Sequence, residues 1–229
     1  MALYALGDLH LSLNSNKSME IFGDGWQDYV LRLKEAFSAL RPEDVTVLCG
    51  DLSWGMSLEE SLEDFRFIDA LPGKKYLLKG NHDYWWNTAA KMERFFREHE
   101  LTTMEILHNN CKFYGELALC GTRGWFYELD NQGTHNEKVL LREIGRLESS
   151  LKAAGEHEKL VFLHYPPLYQ GYRCPEILRL LKEYGAKLCC YGHLHGASHR
   201  RAIEGMWDGT EFSLVSADYL KFVPKKICE

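Results

Sequence analysis

Residues that can bind metal ions or transfer protons follow the ends of five apolar runs in this 229-residue sequence. Each run has the length and composition of a buried strand, and a glycine separates four of the five from the polar residues. The polar residues are, in chain order, Asp8 and His10, then Asp51, then Asn81, His82 and Asp83, then His164, and finally His193 and His195. Because ligand sites in α/β sheets gather beyond the carboxyl ends of the strands, we expect these side chains to form one cluster.

The spacing and the types of these residues favour transition metals. Asp8 and His10 are separated by one residue, and so are His193 and His195. In extended backbone such pairs point the same way, so each pair can hold one ion or two adjacent ions. A ligand set that is mostly imidazole with few carboxylates suits Mn, Fe or Zn better than Ca or Mg. We therefore expect two divalent transition metal ions, with Mn favoured.

The charge of such a centre indicates its substrate. Two divalent ions, the carboxylates of Asp8 and Asp51 and a bridging hydroxide leave a formal charge of about +1, which attracts an anion. Two-metal sites activate a water and hold the oxygens of an in-line displacement at phosphorus. The predicted reaction is hydrolysis of a small phosphorylated substrate, either a phosphomonoester or a phosphodiester.

The elements that position these residues alternate between strand and helix. Helices are predicted at 27–40, 57–71, 88–100, 137–154 and 175–185, the second opened by a capping box in which Ser57 is the N-cap and Glu60 follows at N3. Strands alternate with them and form hairpins at 106–120 and 202–215. The pattern predicts the α/β class, with two face-to-face sheets and helices outside, in one domain spanning residues 1–229.

Composition argues against several partners. The net charge of −6 and pI of about 5.9 disfavour a nucleic-acid-binding surface, because such surfaces rest on many Lys and Arg contacts to phosphate. The seven cysteines include no CxxC pair, which indicates free thiols in a reducing compartment. Neither a signal peptide nor a membrane-spanning run is visible, so we expect a cytoplasmic protein. The sequence gives no indication of an oligomeric state.

The motif residues, taken together, resemble the five blocks of the calcineurin-like metallophosphoesterases, and they occur in that family's order. The blocks are Gly7-Asp8-Leu9-His10, Gly50-Asp51, Gly80-Asn81-His82-Asp83, His164 and Gly192-His193-Leu194-His195. The resemblance implies a four-layer αββα sandwich of two mixed β-sheets and a dinuclear metal centre.

The resemblance also implies a role for each residue. One metal ion would be held by Asp8, His10, Asp51 and His195, and the other by Asp51, Asn81, His164 and His193. Asp51 would bridge the two ions, and a metal-bridging hydroxide would be the nucleophile. His82 would stabilise the attacked phosphoryl group or protonate the leaving oxygen as a general acid.

The sequence departs from the family at one position. Many members continue the second block as Gly-Asp-x-x-Asp, but Trp54 stands where the last aspartate would be. The carboxylate that often orients the histidine acid is therefore absent, and Asp83 is a candidate replacement. Asp83 is equally explained as part of a surface salt bridge.

Two further features have both a functional and an ordinary explanation. Arg123 follows a predicted strand, where its guanidinium could bind phosphate, or it could be an ordinary loop arginine. Aromatic residues beside the motifs could form a wall for an aromatic leaving group or simply pack between loops. These residues are Trp54, Tyr84, Trp85, Trp86, Trp125, Phe126 and Tyr127.

The leading hypothesis is thus a metal-dependent phosphoesterase. The first alternative is a non-catalytic metal-binding scaffold with the same fold, which only the missing aspartate at Trp54 favours. The second is a serine/threonine-type protein phosphatase, although the chain leaves little room for a peptide-docking surface. A nuclease acting on long polynucleotides is disfavoured by the acidic charge.

Overall fold

A computed structural model describes residues 1–14, 17, 19–126 and 134–229, with only the backbone described at residues 22, 24, 134 and 135. The strands are β1 (Leu3–Leu6), β2 (Val45–Leu48), β3 (Lys74–Leu77), β4 (Met104–Ile106), β5 (Cys111–Tyr114), β6 (Leu117–Thr122), β7 (Glu158–Leu163), β8 (Leu168–Tyr169), β9 (Tyr172–Arg173), β10 (Leu188–Tyr191), β11 (Gly205–Trp207), β12 (Thr210–Leu214) and β13 (Lys225–Cys228). The helices are α1 (Tyr29–Phe37), α2 (Leu62–Ala70), α3 (Ala89–Glu98), α4 (Thr134–Ala153) and α5 (Pro175–Glu183). Within the described residues, no helix is long and apolar enough to cross a membrane.

The strands form two large mixed sheets. The first has the order β13-β1-β2-β3-β4, in which only the β13–β1 pair is antiparallel. The second has the order β11-β12-β10-β7-β6-β5, with antiparallel pairs at its two edges and parallel pairs between them. In both sheets the inner parallel strands end at the same edge, which is where the predicted ligand residues follow them.

Three hydrophobic cores separate four layers. The first sheet packs its outer face against α1, α2 and α3, and the second packs its outer face against α4 and α5. Between the sheets lies a third core to which β1, β2, β7 and β10 each contribute alternate residues, for example Ala5 from β1 and Phe162 from β7. The predicted α/β class and αββα layering are therefore confirmed.

Some element boundaries differ from the prediction. The Ser57 hydroxyl accepts the Glu60 N–H at 3.2 Å as the capping box requires, yet residues 58–61 form turns and regular helix begins only at Leu62. The hydroxyl of Ser61 donates to the Ser57 carbonyl oxygen at 2.9 Å, inside this turn segment. The predicted strand at 202–207 begins at Gly205, and the chain does not end on that hairpin, because β13 follows and pairs with β1.

A buried lysine in β3 binds carbonyl oxygens at and just after the end of α2. Lys75 is fully buried, and its ammonium group donates to the carbonyl oxygens of Asp69, Leu71 and Gly73 at 2.5–3.2 Å. Burial lowers the pKa of Lys75 to about 8, so the ammonium remains mostly charged at neutral pH. The side chain therefore satisfies carbonyls at the helix end that have no helical partner.

We predict that Lys75→Met destabilises the protein by about 2 kcal/mol or more, because it leaves buried carbonyl oxygens without donors. Urea unfolding followed by circular dichroism measures the change. The control is Lys74→Met, since the Lys74 ammonium is 43% exposed and pairs with Glu105 at the surface. The control should lose less than about 1 kcal/mol. Equal unfolding midpoints for the two variants would contradict the assigned role.

Candidate metal centre

The five motif loops are joined to one another by hydrogen bonds. The N–H of Asp8 donates to the Gly50 carbonyl oxygen at 2.8 Å, and that of His10 donates to the Asp51 carbonyl oxygen at 2.9 Å. Across the two sheets, the His193 N–H donates to both carboxylate oxygens of Asp8 at 3.0 and 3.1 Å. The centre is therefore assembled from both sheets at the ends of their parallel strands.

Four of the predicted ligands have a strained backbone. Asp8, His10, Asp51 and His193 have positive φ angles of 61°, 47°, 52° and 71°. Residues other than glycine rarely occupy this left-handed region, and they remain there only where surrounding contacts require it. The packing is also close, because a methyl group at Gly80 would collide with the Asp51 carboxylate. The motif loops therefore bring the ligand side chains together at the cost of an unfavourable backbone conformation.

The first group of ligand atoms comprises Asp8, His10 and His195, whose ligand atoms lie within 4.8 Å of one another. The Nε2 atoms of His10 and His195 face each other at 3.3 Å, and His195 Nε2 lies 3.4 Å from Asp8 Oδ1. Asp51 Oδ2 lies 3.8 Å from His10 Nε2. The four residues predicted for one metal ion are thus adjacent.

The second group comprises Asp8, Asp51 and His164. His164 Nδ1 lies 3.0 Å from the Cys49 carbonyl oxygen, which can only accept, so Nδ1 carries the proton. The lone pair on His164 Nε2 therefore faces Asn81 Oδ1 at 2.7 Å and Asp51 Oδ2 at 3.5 Å. Acceptors that converge in this way fit a bound cation.

His193 is brought near this second group but takes part in neither group of ligand atoms among the described residues. Its ring lies 5.1 Å from the His164 ring and 4.3 Å from the Tyr165 ring, measured between centroids. Asp51 lies between His10 and His164, as a bridging ligand would. Asp8 also belongs to both groups, which the predicted assignment to a single ion did not include.

The electrostatic properties of the cluster also suit a cation. Burial, together with Asp8, raises the pKa of Asp51 to about 8. Burial lowers the pKa of both His10 and His193 to about 3, so these rings are neutral, as metal-binding imidazoles must be. Burial alone would lower the pKa of His195 too, but the carboxylates of Asp8 and Asp218 raise it to about 10. A site that holds a proton this tightly favours positive charge.

His82 lies beside the centre and packs against Trp54. The two ring centroids are 4.6 Å apart, and Trp54 also stacks on His10 at 5.1 Å. The main-chain N–H of His82 donates to Asp51 Oδ1 at 2.7 Å. Its Nδ1 atom is buried and has no hydrogen-bond partner among the described residues. The tryptophan thus supplies an aromatic surface where the family's aspartate would supply an acceptor.

Asp83 is buried, which rules out the surface salt bridge. Its carboxylate accepts the N–H groups of Asp51, Leu52 and Gly80 at 2.7–2.9 Å and the indole N–H of Trp85 at 3.0 Å. These contacts fix the second motif loop against the third. The carboxylate is engaged with these donors, and the His82 Nδ1 atom has no hydrogen-bond partner in the described part of the chain, so Asp83 makes no hydrogen bond to that atom there.

Arg123 is placed next to a ligand. Its carbonyl oxygen accepts the N–H of His164 at 3.1 Å and that of Tyr165 at 3.0 Å. The side chain is half-buried, and its Nε atom has no hydrogen-bond partner within the ranges that the structure describes.

The aromatic residues beside the motifs divide between the two explanations. Trp85 is buried against Phe65, and Phe126 stacks on Tyr172 at 4.4 Å, so both belong to packed cores. Trp86 and Trp125 are partly buried against the same cores, whereas Tyr84 is exposed. Trp54 contacts two site histidines, and Tyr127 lies outside the described residues.

Asp218 is a site residue that the sequence did not predict. Its Oδ1 atom lies 3.0 Å from His195 Nδ1, and its Oδ2 atom accepts the Gly196 N–H at 3.1 Å. This contact places the proton on His195 Nδ1 and directs Nε2 toward Asp8 and His10. Asp218 follows the end of β12, so the rule that found the other residues, polar side chains beyond strand ends, would also have found this one.

The fold, with its carboxylate–imidazole cluster at the strand ends, is that of the metallo-dependent phosphatases. The chain belongs to the calcineurin-like phosphoesterase family, whose sequence model matches residues 1–197. Membership implies divalent metal ions and phosphoester chemistry in general. Asp218 lies beyond the matched span. No protein of curated function matches the sequence.

Solved structures show the same fold. The protein of unknown function AQ665 from Aquifex aeolicus aligns with a TM-score of 0.53 and 16% identity, covering 98% of this chain and 95% of that chain. The protein TT1561 of Thermus thermophilus aligns with a TM-score of 0.51 and 14% identity, covering 84% of this chain and 81% of that chain. At these identities the likeness concerns the fold alone.

We predict that Asp218→Ala weakens Mn²⁺ binding by about 10–100-fold, because His195 loses the group that orients it. Asp218→Asn, which retains an acceptor for His195 Nδ1, should lose less. Isothermal titration calorimetry measures the affinity, and circular dichroism checks the fold. Asp208→Ala, at an exposed aspartate that pairs with Lys182, is the matched control. Unchanged Mn²⁺ affinity in Asp218→Ala would contradict the assignment.

Proposed function

We propose that this chain is a phosphohydrolase that uses two divalent transition metal ions, Mn favoured, to hydrolyse a small phosphomonoester or phosphodiester. The observation that carries the proposal is the convergence of ligand atoms in the cluster, where His164 Nε2 faces Asn81 Oδ1 and His195 Nε2 faces Asp8 Oδ1. Family membership supports the same chemistry. When bound, two such ions activate water for attack at phosphorus and neutralise charge on the phosphoryl oxygens.

The residues of the chain would divide the remaining work. Asp51 would lie between the two ions, because its Oδ2 atom is near both His10 and His164. The same residue positions His82, whose main-chain N–H its Oδ1 atom accepts. Burial lowers the pKa of His82, and the neighbouring His164 and His195 lower it further. A lowered pKa leaves the free ring mostly neutral at neutral pH, so His82 would take up a proton from solvent before donating it to a leaving oxygen.

The proposal includes the substrate class and location. Net charge of −6 supports a small phosphorylated ligand rather than nucleic acid. All seven cysteines are free thiols, which supports a reducing, cytoplasmic setting. The Nδ1 atom of His82, unpartnered among the described residues, is the observation that favours the alternative of a non-catalytic metal-binding scaffold, and turnover measurements separate the two.

We predict that Asp51→Asn and His195→Ala lose metal and activity together. Metal-stripped protein reloaded with Mn²⁺ should hydrolyse p-nitrophenyl phosphate or bis-p-nitrophenyl phosphate, and each variant should lower the rate by more than about 100-fold. Metal content is measured in parallel by mass spectrometry. The ratio of the two rates distinguishes a monoesterase from a diesterase.

The control for these variants is His157→Ala, at an exposed histidine that contacts Phe113 and the Glu116 carbonyl oxygen. It should keep the wild-type rate and metal content. If Asp51→Asn retained both full metal content and full rate, the metal assignment would be wrong. Two bound metals per chain without turnover of either ester would favour the scaffold.

We predict that His82→Asn slows hydrolysis of phenyl phosphate by about 100-fold or more, because its leaving group needs a proton. Hydrolysis of p-nitrophenyl phosphate should slow much less, since p-nitrophenolate leaves without one. Tyr84→Phe, which alters the exposed ring beside His82, is the control and should affect both esters alike. Equal losses on the two esters in His82→Asn would instead indicate that the ring binds the phosphoryl group.

A further inference from the structure

Two cations without ion-pair partners in the described ranges of the chain lie beside the metal centre. Lys79 and Arg123 are half-buried, and neither forms a salt bridge within those ranges. A Cβ atom at Gly121 would lie 3.1 Å from Leu78 Cδ2, so the end of β6 that precedes Arg123 packs against the end of β3 that precedes Lys79. Like charges that are partly desolvated and close together repel each other, so this arrangement favours an anion.

The carboxylates nearby are already engaged. Glu143 is buried, and its Oε1 atom accepts the Thr122 hydroxyl at 2.6 Å and the Gly124 N–H at 2.9 Å, while its Oε2 atom pairs with Arg146 at 3.1 Å. Asp83 accepts main-chain N–H groups from two motif loops. Neither carboxylate makes a salt bridge with Lys79 or Arg123, so the local excess of positive charge persists in a chain whose net charge is −6.

A neutral donor completes the group. Burial lowers the pKa of His108 to about 4, so its ring is uncharged at neutral pH. Its Nδ1 atom is buried and finds no hydrogen-bond partner in the described part of the chain, and the ring meets Trp86 edge-on with centroids 5.4 Å apart. A neutral imidazole can donate one hydrogen bond to a phosphate oxygen.

These residues follow the ends of three strands next to the second group of metal ligands. Lys79 lies two residues before Asn81, beyond β3, and His108 follows the end of β4. Arg123 follows β6, and its carbonyl oxygen holds the main chain of His164. Lys79, Arg123 and His108 thus lie on the Asn81 and His164 side of the centre. Trp54 and His82 lie on the side of His10.

We propose that Lys79 and Arg123, with His108, form a subsite for a second phosphate group of the substrate. The proposal rests on the phosphohydrolase function proposed above, because the first phosphoryl group would occupy the metal centre. A guanidinium and an ammonium together suit phosphate, the former as a two-pronged donor and the latter as a point charge. The substrate class is therefore a small bisphosphorylated molecule whose two phosphates are separated by a few bonds.

Binding of a matched pair of hydrolysis-resistant ligands tests this subsite. Propane-1,3-bisphosphonate carries a second anionic group that propylphosphonate lacks, and neither has an ester bond to cleave. Calorimetry with Mn²⁺-loaded protein should show the bisphosphonate binding at least about tenfold more tightly than the monophosphonate. In Arg123→Gln and in Lys79→Gln this ratio should fall to less than about threefold, with propylphosphonate affinity changed little.

The control is Arg142→Gln, at an exposed arginine of α4 next to Glu143, which should keep the wild-type ratio. Metal content after each titration excludes removal of Mn²⁺ by the ligand. A wild-type ratio near one would overturn the proposal, and so would equal losses for both ligands, which would assign the cations to the scissile phosphoryl group. Because binding rather than turnover is measured, a chain that failed to hydrolyse p-nitrophenyl phosphate could still show the ratio, so the two proposals fail separately.

Discussion

The buried carboxylate of Asp83 determines how the metal centre is built. It holds the N–H groups of Asp51, Leu52 and Gly80, and so fixes two motif loops that adjacent strands deliver. A buried carboxylate is tolerated only when its oxygens accept hydrogen bonds, and these main-chain donors satisfy them. Since Asp51 has a positive φ angle of 52°, the same contacts hold its strained backbone in place. The position of Asp51, a proposed metal ligand, therefore depends on the hydrogen bonds of Asp83.

The centre also depends on the packing of the two sheets. The first sheet delivers Asp8, His10, Asp51 and Asn81, and the second delivers His164, His193 and His195. The third core keeps the sheets face to face, and a bridge between Gly7 and Ser216 joins them at the edge where the ligands lie. Among the described residues, neither sheet alone holds the full set of residues proposed for either ion. Formation of the site is thus coupled to formation of the inter-sheet core.

The sequence predicted the layers and predicted that the motif residues gather at one edge, because strand ends are marked by apolar runs that stop at a glycine or a polar residue. It did not locate β13 or Asp218, since both depend on pairing across long stretches of chain: β13 with β1 and Asp218 with His195. The capping box at Ser57 formed its hydrogen bond without starting regular helix. Local signals therefore determined which residues face the site, and tertiary contacts determined how they are oriented.

The residues around the proposed ligands differ between the two sides of the centre. On one side Trp54 stacks on His10 and packs at a tilt against His82, where an acceptor would otherwise hold the His82 ring. Without that acceptor the charged form of the His82 ring is less stabilised, and burial lowers the pKa of the ring. On the other side Lys79 lies two residues before Asn81, and the carbonyl oxygen of Arg123 accepts the N–H of His164. The centre is therefore asymmetric, with aromatic contacts around the candidate acid and positive charge opposite, so a substrate with unequal ends would bind in one orientation.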